Sequence, residues 1–246
     1  MLTDAIDCTI ERRLLVNYRI DPEAVTRLLP EPFRPQLVSG WAVGGVCFIR
    51  LGSLRPAHFP SVLGSRTENV AHRFAVEWDD VHGTQAGVFV PRRDTSSRLT
   101  ALAGDKLFPG TYHRARFKVQ EDATDLRIGV DSRDGTLALS VSANEAPALG
   151  GELFGSLEEA LTFFRQGSLG FSPSGGTGGL VGVRLVSESW EGRSMSVGHM
   201  VSSMFDDNQV FPRGSCTLDS AFVMRDLPVR WRNEGKLESR SLTKAA

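Results

Sequence analysis

The stretch YRIDPEAVTRLLPEPFRP, residues 18–35, changes from one kind of structure to another within a few positions. Residues 11–20, ERRLLVNYRI, read as a strand that runs into it. Asp21 then offers a carboxylate to orphan helix amides, and Pro22 brings a fixed φ to the first helical position. Val25, Leu28 and Leu29 form an apolar face at helical spacing, and Pro30 and Pro32 stop the helix after about two turns. A helix this short cannot bury much surface, so the sheet must carry the core.

Working outward, strand-like runs recur at Trp41–Leu51, Arg73–Asp79, Thr84–Val90, Tyr112–Gln120, Leu126–Val130, Leu137–Ser142, Leu180–Ser187, Met195–Met204 and Thr217–Met224. His82-Gly83 and Asp134-Gly135 supply hairpin turns between several of them. A second helix is signalled by the capping box at Ser156–Glu159, with Leu157, Ala160, Leu161 and Phe164 on one face. The following GSLGFSPSGGTGGL, residues 167–180, is rich enough in Gly and Ser to read as an irregular flap. About ten strands against two short helices predict a mainly β (α+β) architecture: an antiparallel barrel or cone around a central pocket, closed so that no edge is exposed. A single domain is expected over residues 1–231, followed by a polar tail, 232–246, that frays.

Composition narrows the function. The 246 residues are 41% hydrophobic and 23% charged, which excludes disorder of the whole chain. A net charge of -1, with no strand interleaving aromatic and basic residues, disfavours nucleic acid as a partner. No window approaches 18 apolar residues and the N-terminus has no apolar leader core, so a cytoplasmic protein away from the membrane is expected, with a homo-oligomer compatible on general grounds. Cys8, Cys47 and Cys216 are scattered, with no CxxC pair, and the five His include no HExxH, so neither a disulfide framework, a metal nor a cofactor is expected. GGTGGLVG, residues 175–182, lacks the spacing of phosphate-binding loops, and there is no GxSxG.

Two clusters carry potential chemistry. Glu68 with His72 and Arg73 brings a carboxylate, an imidazole and a guanidinium within a few residues, a set suited to acid–base work if it lines an apolar cavity. Arg92, Arg93, Asp94 and Arg98 form the second. In an extended chain Arg92 and Asp94 share one face and Arg93 takes the other, and an inward Arg suits a carboxylate ligand.

The opening segment, together with PRRDTSSRL (91–99), LEEALTFFRQGSLGFSPS (157–174), VSSMFDD (201–207) and LDSAFVMRDLPVRW (218–231), resembles the acetoacetate decarboxylase-like superfamily. Within it the chain is most similar to a branch of uncharacterised bacterial proteins labelled YqjF-like. The resemblance implies a cone-shaped sheet with a largely apolar pocket and, in the decarboxylase, a Schiff-base Lys of lowered pKa. That Lys follows a Gly-Arg-Glu strand end; here Pro91-Arg92-Arg93-Asp94 is followed by TSSRLT with no Lys, and the Phe108-Pro109 pair leads to Gly110 and Thr111. Glu68 falls where the family places its pocket carboxylate, while Glu11 takes the place of the pocket Arg, with Arg12 or Arg13 beside it.

The expected function is a small-molecule pocket protein without the family's imine chemistry, a lyase-like enzyme binding or acting on a carbonyl or carboxylate metabolite by acid–base and electrostatic means. Glu68 and His72 are its candidate catalytic groups, and Arg12, Arg73, Arg92, Arg93, Asp94 and Arg98 its candidate binding groups. Two alternatives stay open: a non-catalytic binder of an apolar metabolite with residues 166–180 as lid, and a decarboxylase whose amine is a displaced Lys106.

Overall fold

A computed structural model describes residues 5–57, 59–60, 64–103, 110–174 and 179–237. The chain order of its strands is β1 (Ala5–Ile20), β2 (Arg34–Pro35), β3 (Leu37–Val38), β4 (Trp41–Pro56), β5 (Ser65–Asp80), β6 (Gly83–Thr95), β7 (Tyr112–Glu121), β8 (Asp125–Ser132), β9 (Ala138–Glu145), β10 (Leu169–Pro173), β11 (Leu180–Val186), β12 (Arg193–Ser202) and β13 (Cys216–Leu237). Three helices, α1 (Pro22–Thr26), α2 (Arg98–Ala103) and α3 (Leu157–Gln166), are set among them.

The strand pairings close into two hydrogen-bonded circuits. The larger runs β5–β6–β7–β8–β9–β12–β13–β1–β4 and back to β5. The smaller runs β13–β1–β4–β5–β6–β10–β11 and back to β13. Five strands are common to both, so this wall is covered on each face. That explains the sequence pattern: β4 is buried continuously from Ala42 to Ile49, and β1 from Leu14 to Tyr18, because neither face meets water.

Each circuit has its own apolar filling. Leu14, Val16, Phe48, Phe74, Phe205 and Phe211 belong to the core on one side of the wall. Ile10, Leu15, Val43, Phe222 and Met224 belong to the core on the other, where Ala160 and Phe164 of α3 pack. Each fully buried aromatic or aliphatic side chain here contributes roughly 1.5–3 kcal/mol.

The two expected helices form with the expected caps. Asp21 accepts from the Glu23 amide at 2.8 Å, and Ser156 accepts from the Glu159 amide at 3.1 Å. α1 is shorter than its apolar spacing suggests: Leu28 and Leu29 continue it as turns, in advance of Pro30 and Pro32.

Several expectations are corrected. A third helix, α2, follows β6, with Leu99 and Leu102 exposed and Thr100 buried. Residues 169–173, within the expected flap, are a strand hydrogen-bonded to β11 on one side and in parallel to β6 on the other. Glycine serves close packing there: a Cβ on Gly87 would sit 2.5 Å from the Leu169 carbonyl oxygen. β10–β6 and β6–β7 are parallel in an otherwise antiparallel sheet. Residues 232–237 do not fray, because β13 continues through them to pair with β11. Residues 175–178 of the glycine run and 238–246 of the tail lie outside the described residues.

Candidate functional site

The bore of the smaller circuit holds a cavity of about 110 Å³ to which each of its seven strands contributes. Ile49 and Leu51 of β4, Val88 and Val90 of β6, and Val183 and Leu185 of β11 make its walls apolar, and Phe164 of α3 closes one side. Into this apolar lining three strands send guanidinium groups: Arg13 from β1, Arg73 from β5 and Arg93 from β6. Among the described lining residues there is no Asp, Glu or Lys.

Local chain geometry selects these three. Arg12 and Arg13 alternate across β1, so only the second reaches the cavity. On β6, Val88 and Val90 line the cavity, and simple alternation would bring Arg92 in after them. The β5–β6 register shifts between His72 and Phe74, opposite Val90-Pro91, which reverses the alternation and delivers Arg93 instead. Pro91 suits that position because a bulge residue donates no ladder hydrogen bond.

Arg73 is the least solvated of the three, at 3% exposure. One nitrogen, Nη2, donates to Asn17 Oδ1, while Nε and Nη1 have no partner among the described residues. Its guanidinium lies over the Phe164 ring, 4.1 Å from the centroid. Burial pushes its pKa down to about 9, Cys47 works the other way, and the neighbouring charge of Arg13 adds to the fall. It remains a cation at neutral pH, with no carboxylate bonded to it among the described residues. Arg13 donates through Nε to Cys47 Sγ at 3.4 Å, and its buried Nη1 has no partner among the described residues. Arg93 donates to Ser172 Oγ at 3.0 Å and to the Tyr112 hydroxyl at 3.3 Å. Such a lining attracts an anion whose carbon skeleton is apolar.

The structure divides the residues singled out by sequence. Arg73 and Arg93 meet in the cavity. Glu68 and Arg12 face the other side of the wall, where Arg12 Nη2 donates to Glu68 Oε2 at 2.6 Å and Arg12 Nη1 to Glu121 Oε2 at 3.0 Å. Arg50 bonds both carboxylates and Arg225 bonds Glu121, so three guanidiniums share two carboxylates. The register explains the grouping: Arg225, Arg12, Arg50 and Glu68 are cross-strand neighbours on β13, β1, β4 and β5. Burial works against the Glu121 charge, but Arg225 and Arg12 outweigh it and hold the carboxyl below its ordinary range.

His72 is also on that far face, 1% exposed among Phe205 and Ser202. Burial pushes it down to about 4, helped by the Arg92 charge. Arg92 and Asp94 share this face as expected and bond each other, with Arg92 also reaching Asp134 and Thr136. Arg98 is exposed at the start of α2, and Lys106 lies outside the described residues. Thr100 alone brings the stretch 95–100, where the family resemblance would place an amine, to the cavity wall. Cys47, Tyr112 and Phe164 were not foreseen; only strand alternation and the apolar face of α3 hint at them.

Residues 8–215 match the model of DUF2071, an uncharacterized conserved protein family (COG2071). The chain belongs to the DUF2071 family. No curated protein matches this DUF2071 chain in sequence. Its fold is that of acetoacetate decarboxylase-like proteins. Acetoacetate decarboxylase from Legionella pneumophila subsp. pneumophila str. Philadelphia 1 superposes with a TM-score of 0.65 at 11% identity, over 97% of this chain and 89% of that one. An acetoacetate decarboxylase-like enzyme from Sphingomonas wittichii RW1 gives 0.62 at 13% identity, over 96% and 93%. The enduracididine biosynthesis enzyme MppR complexed with pyruvate gives 0.60 at 11% identity, over 96% and 91%. Among the described residues, no helix of this DUF2071 protein is long and apolar enough to cross a membrane.

Proposed function

We propose that the protein takes a small carboxylate bearing a carbonyl group into the seven-strand cavity and acts on it by arginine electrostatics rather than through a lysine imine. One observation carries the reading: a buried Arg73 with two partnerless nitrogens faces an apolar cavity whose described lining has no carboxylate. A ligand carboxylate would supply a missing acceptor in a charge-assisted bond, which is stronger in so dry a site than in water. Arg93 and Tyr112, which line the same cavity, would then polarise a carbonyl oxygen, since guanidinium and hydroxyl donors aimed at developing negative charge lower the barrier to forming it. Thr100 in place of an amine favours chemistry without an imine. The pyruvate complex of MppR, a protein of the same fold, supports the ligand class.

Glu68 and His72 enter this proposal as structural groups, separated from the cavity by the wall that carries them. The reading of residues 166–180 as a lid over an apolar ligand loses its support where those residues form β10. The test is thermal unfolding with acetoacetate, pyruvate and longer keto acids, paired with borohydride reduction and intact-mass measurement. Stabilisation by a keto acid without a reduced adduct is the expected result. An adduct on Lys106 would replace this reading with the displaced-amine decarboxylase.

A further inference from the structure

We infer that Cys47 is a covalent site of the cavity, a thiol directed toward small anionic electrophiles by the guanidiniums of Arg13 and Arg73. The inference rests on the anion-binding reading above and adds to it a reactive atom and a narrower ligand class.

Cys47 lies on β4, in register with Leu15 on one side and Ala71 on the other, and its side chain lines the cavity. Its Sγ accepts from Arg13 Nε. Two residues earlier on the same face, Gly45 is paired with Arg73, and a Cβ built there would come within 3.4 Å of Arg73 Nη2. The Arg73 guanidinium therefore passes over Gly45, two residues from Cys47 on the same face, close enough for its charge to act on Cys47. The thiol has a cation on two sides and no described carboxylate in the same lining. Cations beside a thiol draw anionic reagents toward it.

The other two thiols make the contrast. Burial pushes both Cys8 and Cys216 up to about 12, and neither lines the cavity. Cys47 is thus the described cysteine that a cavity ligand can meet.

Arg73 decides which ligand meets it. A carboxylate held by a partnerless nitrogen of Arg73 brings the adjacent carbon toward Sγ, so the favoured class is short carboxylates with an electrophilic carbon next to the carboxylate. With a 2-haloacid, the S–C bond forms as the carbon–halogen bond breaks, the halide leaves with the bonding pair, and the thiol proton goes to solvent. With a 2-oxo acid, the S–C bond forms, the carbonyl π pair moves to oxygen, and that oxygen takes the thiol proton. The product is a hemithioketal, reached with no oxidant or reductant and reversible by the same path.

Alkylation by iodoacetate and by neutral iodoacetamide, followed by peptide mass mapping, tests this on the full chain. Iodoacetate should modify Cys47 at least about tenfold faster than iodoacetamide, the reverse of an undirected thiol, since one oriented guanidinium favours the anion by that order. Pyruvate should slow the reaction, and Cys8 and Cys216 should stay unmodified. Arg73→Met should remove the preference, slowing iodoacetate at least about tenfold more than iodoacetamide; Arg13→Gln, at a less buried position, repeats the test should Arg73→Met fail to fold. If pyruvate raises the Tm but Cys47 resists both reagents, or takes iodoacetamide as fast as iodoacetate, the thiol claim is overturned and the anion cavity stands. If neither a pyruvate shift nor a reagent preference is seen, both are overturned. A preference for iodoacetate without a pyruvate shift supports the thiol claim and removes pyruvate as the ligand.

Discussion

The guanidinium carbon of Arg73 lies 4.1 Å from the centre of the Phe164 ring, joining a cation of β5 to the buried face of α3. A ring face is a partial counter-charge, and in a desolvated site it contributes about 2 kcal/mol. It satisfies none of the hydrogen-bonding capacity of Nε and Nη1, so the arginine is held in place and left available.

Phe164→Leu removes that counter-charge and leaves a smaller side chain in the core of α3. The expected result is a loss of roughly 2–3 kcal/mol in denaturant-derived stability, together with a several-fold weaker keto-acid affinity by calorimetry. Affinity equal to wild type would detach α3 from ligand binding.

Glu68→Gln separates structure from chemistry. Glu68 shares the network of Arg12, Arg50, Arg225 and Glu121, where Arg12 is 1% exposed and bonds Glu68 and Glu121. Removing one charge from a buried network should cost about 2–3 kcal/mol of stability. Keto-acid affinity should change less than about threefold, because cavity and network are on opposite faces of the wall. A large loss of affinity or of any detected turnover, with stability unchanged, would return Glu68 to the catalytic role that its sequence position suggests.

How far the sequence led can be judged from particular residues. The long strands were legible because alternation or continuous apolar runs mark them, and the caps at Asp21 and Ser156 were legible because capping is local chemistry. β10 was not, since it lies in a Gly- and Ser-rich run that reads as loop in one dimension, and the close approach to Leu169 that Gly87 of β6 permits leaves no local signal. The six-residue α2 was not, although Ser97 caps it by accepting from the Thr100 amide at 3.1 Å, because its Leu99 and Leu102 face outward and mark no buried face. Within the arginine cluster, alternation separated Arg92 from Arg93, but only the register shift at Pro91 reveals which one enters the cavity. The family resemblance pointed Glu68 and Arg12 to the pocket; the partners that absorb them, Arg50, Glu121 and Arg225, are distant in sequence.

His72 predicts an acid-limb signature. Its folded pKa of about 4 lies below the ordinary 6.5, so the unfolded chain takes up a proton first as pH falls. Stability is unaffected by this group above pH 6.5, declines by up to about 1.4 kcal/mol per pH unit between 6.5 and 4, and levels off below, for a total of roughly 3 kcal/mol. The difference between wild type and His72→Phe in urea unfolding should trace that window; a flat difference from pH 7 to 4 would show that His72 titrates normally.

Gly45→Ala tests the space given to Arg73. A Cβ at Gly45 would fall 2.4 Å from the Val16 carbonyl oxygen, so β1 or β4 must shift, at a cost of roughly 1–3 kcal/mol. Because the same Cβ lies 3.4 Å from Arg73 Nη2, keto-acid binding should weaken as well. Unaltered stability and affinity would show that the wall yields freely.

Calorimetric titration of pyruvate and of its neutral amide into wild type and Arg73→Met tests the central claim most directly. Wild type should bind pyruvate and not the amide, and Arg73→Met should lose at least about tenfold in affinity for pyruvate, the effect of one charge-assisted hydrogen-bonded pair. Equal affinity of the two proteins for pyruvate, or equal affinity of wild type for pyruvate and its amide, would contradict an anion site built on Arg73.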